Sequence, residues 1–306
     1  MKFFNHKLLF FCSLFLKLFS IPHYYCTPAD SKHFGWVKNL IGSIHRADFV
    51  NLGEIAVFDL GFEIKQRNEL TRMAKVKVYD VEMTHPDLLK PLKTAPGGRM
   101  VRGYFAWKPV VIKQALERFS YVLYLDAGTT VLKSLDNLFE HIVEQGYFLL
   151  SCTKNENCNQ VNRITQTVID KVLSKRSLED QVLILSPNSY HIDAGLQGVS
   201  RKMLDDYIFP MYQHSKDLGL FKDDGTAKFG YGAARHDQTL FSIYAYCLKL
   251  KINDEGWINL SVGGRTIPVH IHWDKKVLNK DSVIYRSRGD TKFEGGKTRF
   301  IRYKKQ

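Results

Sequence analysis

The sequence predicts a single α/β domain: a mostly parallel central sheet with helices on both faces. Two observations lead there. Strand and helix patterns alternate regularly from residue 21 to residue 151, the order produced by parallel strands joined by helical crossovers. One strand pattern, 121–126, is the continuous run Tyr-Val-Leu-Tyr-Leu ending in Asp126, as expected of a strand buried on both faces. A chain of 306 residues with 44% hydrophobic content has material for one large α/β domain or two small ones, and its composition argues against disorder.

The elements follow in order. Strands are expected over 21–29, 54–59 and 76–79, with helices over 33–45 and 64–73 between them. A helix is expected over 106–119, where Pro109 is tolerable in the first turn. After the strand at 121–126 come a helix over 135–145, stopped by Gly146, and a strand over 147–151. The second half is less regular. Helices are expected over 163–174, 203–218 (kinked or divided at Pro210) and 236–250, and strands over 181–185, 191–200 and 266–273. Residues 222–234 are rich in Gly and Asp and read as a loop. The domain is expected over 21–276, followed by a basic C-terminal tail over 277–306.

The formal charge is +13, from 44 Lys+Arg against 31 Asp+Glu, which points to anionic partners. Nine Lys/Arg against three Asp/Glu lie in 277–306, so nearly half of the excess sits there. No RNA-recognition signature or zinc-knuckle spacing occurs, and nucleic acid is ranked low as a partner. The first twenty residues have a basic start, an uncharged run from Leu8 to Leu16, and Ser20. They read as a signal peptide or a weak membrane anchor, the run being short for a span. Secretory-lumen, exported or membrane-associated placement is therefore expected, with a cytoplasmic enzyme as the alternative. Cys152 and Cys158 flank a polar loop; a small disulfide and two free thiols are equally compatible with that spacing.

Open α/β sheets bind ligands at the carboxyl ends of their strands, and Asp126 stands at such an end. A short strand leads into Ala29-Asp30-Ser31, a second ends in Asp59-Leu-Gly, and Tyr104-Phe-Ala-Trp-Lys108-Pro109 precedes Tyr124-Leu-Asp126-Ala-Gly128. His191-Ile-Asp-Ala-Gly195, His236-Asp237-Gln238 and Val269-His-Ile-His-Trp273 follow. In order and spacing this series, covering most of 24–276, resembles the GT-A nucleotide-diphospho-sugar transferases, especially the glycogenin-like and galactosyltransferase-like group.

The resemblance implies a GT-A-like (Rossmann-like) domain and a hexosyltransferase-like glycosyltransferase. The donor would be a nucleotide sugar, UDP-linked, and the acceptor a glycan, protein or lipid. It places Thr27, Ala29, Asp30 and Asp59 at the nucleoside, and Lys108, with Arg102 second, at the diphosphate or sugar. Asp126 and Gly128 stand at the metal and nucleotide motif, where Gly128 replaces the second carboxylate. Asp193 would shape the sugar pocket, Asp237 would act as base with Asp193 in reserve, and His270 or His272 would complete a metal site with Asp126. An oxygen and a nitrogen ligand suit Mn²⁺ better than Mg²⁺. Bland readings compete: Asp30 and Asp59 serve equally as turn formers, Asp237 as an N-cap, and His270 and His272 as ordinary strand residues. The missing carboxylate leaves open a metal-independent transferase and a non-catalytic protein binding glycan or an acidic partner.

Overall fold

The computed structural model describes residues 21–152, 158–287 and 297–304; the leader expected over 1–20 lies outside them. The strands are β1 (His23–Ala29), β2 (Leu52–Asp59), β3 (Val76–Asp80), β4 (Pro91–Lys93), β5 (Met100–Arg102), β6 (Tyr121–Leu125), β7 (Thr129–Val131), β8 (Tyr147–Ser151), β9 (Ile192–Ser200), β10 (Ile252–Asn253), β11 (Gly256–Val262), β12 (Arg265–His272) and β13 (Ser282–Arg286). The helices are α1 (Phe34–Ala47), α2 (Ile64–Arg72), α3 (Trp107–Arg118), α4 (Asp136–Gln145), α5 (Gln160–Arg163), α6 (Gln166–Lys171), α7 (Leu178–Ile184), α8 (Phe209–His214) and α9 (Asp237–Cys247).

The central sheet has seven strands in the order β10-β8-β9-β6-β1-β2-β3. Strands β3, β2, β1 and β6 are parallel neighbours, while β9 runs antiparallel to both β6 and β8. Because side chains alternate along a strand, the sheet feeds two cores. Cys26, Phe58, Val122 and Tyr124 pack with α3 and α9 on one face. Tyr25, Ile55, Val57, Leu123 and Leu125 pack with α1, α4 and a second sheet on the other. That second sheet has the order β11-β12-β13-β7. The α/β class, the mostly parallel sheet and the helices on both faces are as expected.

Local chemistry explains several ends. A capping box between Glu63 and Gln66 starts α2, and Gly146, at φ 93°, ends α4 in the left-handed region. Other segments differ from expectation. Residues 181–184 form part of α7, with Leu185 as its C-cap, rather than a strand: the Ser177 side chain caps the helix by accepting from Asp180 N, and Glu179 and Asp180 favour its first turn. The single helix expected over 203–218 is a π-turn at Leu204–Ile208 followed by α8, because Pro210 has no N–H to continue the ladder. Residues expected as a basic tail supply β13, buried between β12 and β7. Beyond it, Tyr303 pairs with Met73 and Lys304 N donates to Arg72 O at 2.9 Å.

At the amino end of β1, His23 Nδ1 lies 2.7 Å from Asp48 Oδ2, the Tyr25 hydroxyl donates to Asp48, and Ser134 Oγ donates to Asp48 Oδ1 at 2.9 Å. Asn51 donates to Asp136 at 2.6 Å. This network fastens β1 to α4 across a buried boundary.

Burial pushes His45 and His214 down to about 4 and His191 down to about 3. An unfolded histidine titrates near 6.5, so between these limits the unfolded chain binds more protons. The contribution of these neutral rings to stability is complete above about pH 6.5 and is lost as pH falls toward about 4. Thermal melts taken from about pH 7 to pH 4 are expected to fall through this window, and a constant melting temperature would contradict the buried, neutral state.

Candidate active site

Strand β6 delivers Asp126 to the carboxyl edge of the sheet, where Asp126 N donates to Gly195 O at 2.9 Å and its carbonyl accepts from Thr129 N at 3.0 Å. Asp126 Oδ1 accepts from the Tyr124 hydroxyl at 2.7 Å. Two cations approach the same point. Lys108, buried in the first turn of α3, sits 2.8 Å from Asp237 Oδ2 and 3.5 Å from Asp126 Oδ1. Arg286, the last residue of β13, pairs with Asp193 and rests its guanidinium 4.6 Å from the Trp273 ring centre.

The electrostatics are those of buried ions that hold one another. Burial alone would lower the Lys108 ammonium, but the charges of Asp126 and Asp237 outweigh it and hold the group above its ordinary value. Asp237 is raised, burial being the largest cause, against the opposing pull of Lys108. Arg286 is likewise held protonated by Asp193 and Asp126 against burial. Three carboxylates face two cations in this cluster.

The backbone entering it is strained on both sides. Tyr104 and Phe105 precede Lys108 at φ 51° and 69°, and His236 precedes Asp237 at φ 50°. The Phe105 and His236 rings meet at 5.5 Å, and His236 Nδ1 lies 2.6 Å from Phe221 O. Such conformations cost about 1–3 kcal/mol each and persist where the surroundings impose them.

Gly195 is where the carboxylates converge. A Cβ there would stand 2.3 Å from Arg286 Nη2, 2.6 Å from Asp126 Oδ2 and 3.0 Å from Asp193 Oδ1. Gly195→Ala is therefore expected to displace these charged groups from one another. A stability loss of about 1–3 kcal/mol is expected from overpacking, with a drop in turnover of at least about tenfold, as for displaced catalytic groups. Paired melting and turnover measurements check this; unchanged turnover would contradict the crowding.

The other expected residues are distributed around this centre. Arg102 Nε donates to Asp30 Oδ2 at 3.0 Å, and His33 Nδ1 lies 2.6 Å from Asp30 Oδ1. Burial would raise Asp30, but these bonds hold it well below the carboxylate range. Asp59 Oδ1 accepts from Gly61 N and Phe62 N, both at 2.7 Å, and its Oδ2 accepts from Arg67 at 2.6 Å. These bonds tie the turn after β2. Thr27 and Ala29 are buried in β1. Gly128 O accepts from Ser287 N at 2.9 Å, joining the β6–β7 turn to the end of β13.

His270 and His272 share a face of β12, with ring centres 6.1 Å apart. His270 Nδ1 lies 2.8 Å from Ser282 Oγ, and His272 Nδ1 accepts from Asp274 N at 2.9 Å. Among the described residues the grouping of three metal-capable side chains is His23, Asp48 and Asp136, at the amino end of β1, not Asp126 with His270 and His272. Lys108 and Arg286 also bring positive charge to Asp126. Two protein cations therefore face Asp126 where the expectation placed a metal. Arg286 was absent from the sequence reading, although 282–286 is an apolar run ending in one charge, the signal that picked out Asp126.

No protein-family model matches the chain, and no curated protein sequence matches it. Its structure is similar to solved glycosyltransferase structures. One is mouse xyloside xylosyltransferase 1 in its apo form, with 12% identity, 88% of this chain and 98% of that chain covered, and a TM-score of 0.48. Another is the galactosyltransferase LgtC in complex with donor and acceptor sugar analogues, at 13%, 76% and 73%, with a TM-score of 0.41. A third is core-mannan synthase A of Aspergillus fumigatus in its Mn/GDP form, at 11%, 73% and 69%, with a TM-score of 0.43. No residue role and no activity passes from these proteins to this chain at that level of similarity.

Proposed function

We propose that the protein is a glycosyltransferase that moves a sugar from a nucleotide-diphosphate donor, UDP-linked, to a hydroxyl of a glycan acceptor. The observation that carries this reading is the convergence of Lys108 and Arg286 with Asp126, Asp193 and Asp237 at the carboxyl edge of the sheet. In the transfer, the bond between the acceptor oxygen and the anomeric carbon forms and the bond from that carbon to the diphosphate breaks. Lys108 and Arg286 neutralise the charge that develops on the departing diphosphate, in a site shielded from water. Asp237, raised by burial, takes the proton of the acceptor hydroxyl. Asp193, held by Arg286, orients the sugar. Asp126 sets the spacing of the two cations through Lys108 and the Tyr124 hydroxyl. No step is assigned to a metal, since Lys108 and Arg286 already supply two cations at this point.

The test pairs thermal stability with donor hydrolysis, using UDP-sugars and GDP-sugars with Mn²⁺ and with chelator. A ligand at about a hundred times its dissociation constant adds about 2.7 kcal/mol, a shift of a few degrees or more. A UDP-dependent shift that survives chelator, with turnover, is the expected result. Asp126→Ala is expected to melt near the parent, since Lys108 keeps Asp237, yet to lose at least about a hundredfold in hydrolysis. Binding without turnover under every condition would replace the transferase reading with a sugar-binding protein on this fold.

A further inference from the structure

Strand β8 ends at Ser151, opposite Ile192 of β9. In an ordinary antiparallel pair the next position would be one residue exchanging two hydrogen bonds with His191. Here that position is divided. Cys152 N donates to His191 O at 2.7 Å, while His191 N donates to Cys158 O at 2.8 Å. Cys152 and Cys158 thus share one pairing position, opposite His191. The two cysteines are therefore side by side by construction of the ladder, and both are free thiols. Their side chains also hydrogen-bond each other.

We propose that Cys152 and Cys158 are a reversible dithiol–disulfide site. Its chemistry is thiol–disulfide exchange with a small-molecule disulfide such as oxidised glutathione. The Cys158 thiolate attacks one sulfur of that disulfide, forms a mixed disulfide and releases one glutathione thiolate. Cys152 then loses its proton to solvent and attacks Cys158 Sγ. The second glutathione thiolate leaves and the Cys152–Cys158 bond forms. Two protein thiols are oxidised and one small-molecule disulfide is reduced to two thiols.

The environment sorts the two sulfurs into these roles. The hydrogen bond from Cys152, opposed by burial and aided by Arg235 and Arg163, holds Cys158 below the ordinary thiol value. The same bond, with burial, pushes Cys152 up. A thiolate at neutral pH beside a protonated thiol is the arrangement of an attacking and a resolving cysteine. Cys26 and Cys247 are both pushed up by burial instead. The site also adjoins the carboxylate cluster. Gln238 Nε2 donates to Cys152 Sγ at 3.3 Å and to Ile192 O at 3.2 Å, so it connects the neighbours of Asp237 and Asp193. The disulfide is independent of the glycosyltransferase reading and is read by mass, not activity.

The full chain is equilibrated in glutathione buffers of increasing oxidation, quenched with acid, alkylated after unfolding and mapped by peptide mass. The expected product is an internal Cys152–Cys158 disulfide, reversed by reductant, with Cys26 and Cys247 still alkylated. Alkylation of Cys158 in the native protein is expected to follow a pH midpoint below the free-thiol value. In Cys152→Ala that midpoint is expected to move up toward the free-thiol value of about 8.5. Oxidation that stops at a glutathione adduct on Cys158 would overturn the proposal, as would an unchanged midpoint in a folded Cys152→Ala protein. The disulfide mapping needs no variant, so a misfolded substitution leaves that test standing.

Discussion

Lys108→Met is expected to abolish measurable donor hydrolysis and to lower the melting temperature. Both effects follow from one fact: the ammonium is buried and is the ion-pair partner of the buried Asp237. Removing one member of a buried pair leaves an uncompensated charge and costs about 3–5 kcal/mol. Asp237 would respond by taking up a proton, since burial already raises it. A protonated Asp237 no longer serves as the proposed base, and the diphosphate loses one of its two cations. Loss of a single preorganised charge-stabilising group costs roughly a hundredfold to a thousandfold in rate, and here two roles fail together. The double variant Lys108→Met/Asp237→Leu separates stability from chemistry. It replaces the pair with apolar groups and is expected to recover most of the melting temperature without any turnover. Melting and hydrolysis of the single and double variants, measured side by side, check this. Turnover in the double variant would show that the pair is structural only.

What the sequence disclosed, and what it withheld, divides along physical lines. The runs at 54–59, 121–126 and 147–151 were legible because central strands buried on both faces are apolar without interruption. Asp126, Asp193 and Asp237 were legible as positions because each stands at a strand or helix end. Of the second sheet only β12 was, as the strand expected over 266–273. Its β11 alternates buried and exposed residues over only seven positions, and β7 has three, lengths at which periodicity says little. Strand β13 was hidden by charge: its five residues lie in a stretch whose Lys and Arg read as a solvated tail, yet Ser282 to Tyr285 are buried. The segment at 181–185 misled for the opposite reason. Its apolar run has strand composition, but Ser177 and two acidic residues in the first turn start a helix whose Leu178 and Val182 face solvent. The partnerships of the site were beyond sequence altogether. That Lys108 takes Asp237 rather than lying on the surface depends on two elements separated by more than a hundred residues.

Arg286→Ala is expected to match Lys108→Met in its loss of turnover, although no strand-end carboxylate motif points to it. The guanidinium pairs with Asp193, whose side chain is 2% exposed, and it stacks on Trp273 at the end of β12. It is thus the contact through which the second sheet reaches the carboxylate cluster of the first. Truncation would leave Asp193 buried without its cation, a cost of about 3–5 kcal/mol, and would remove the second positive charge facing the donor diphosphate. Arg286→Lys tests which property matters. A lysine keeps the charge but not the planar fork that stacks on an indole while pairing with a carboxylate. If charge neutralisation is the main role, Arg286→Lys retains a measurable fraction of turnover while the alanine variant retains none. If orientation of Asp193 is the main role, both variants fall together and the loss shows chiefly in kcat. Wild-type turnover in a folded Arg286→Ala protein would remove Arg286 from the site and with it the proposed metal-independent handling of the diphosphate.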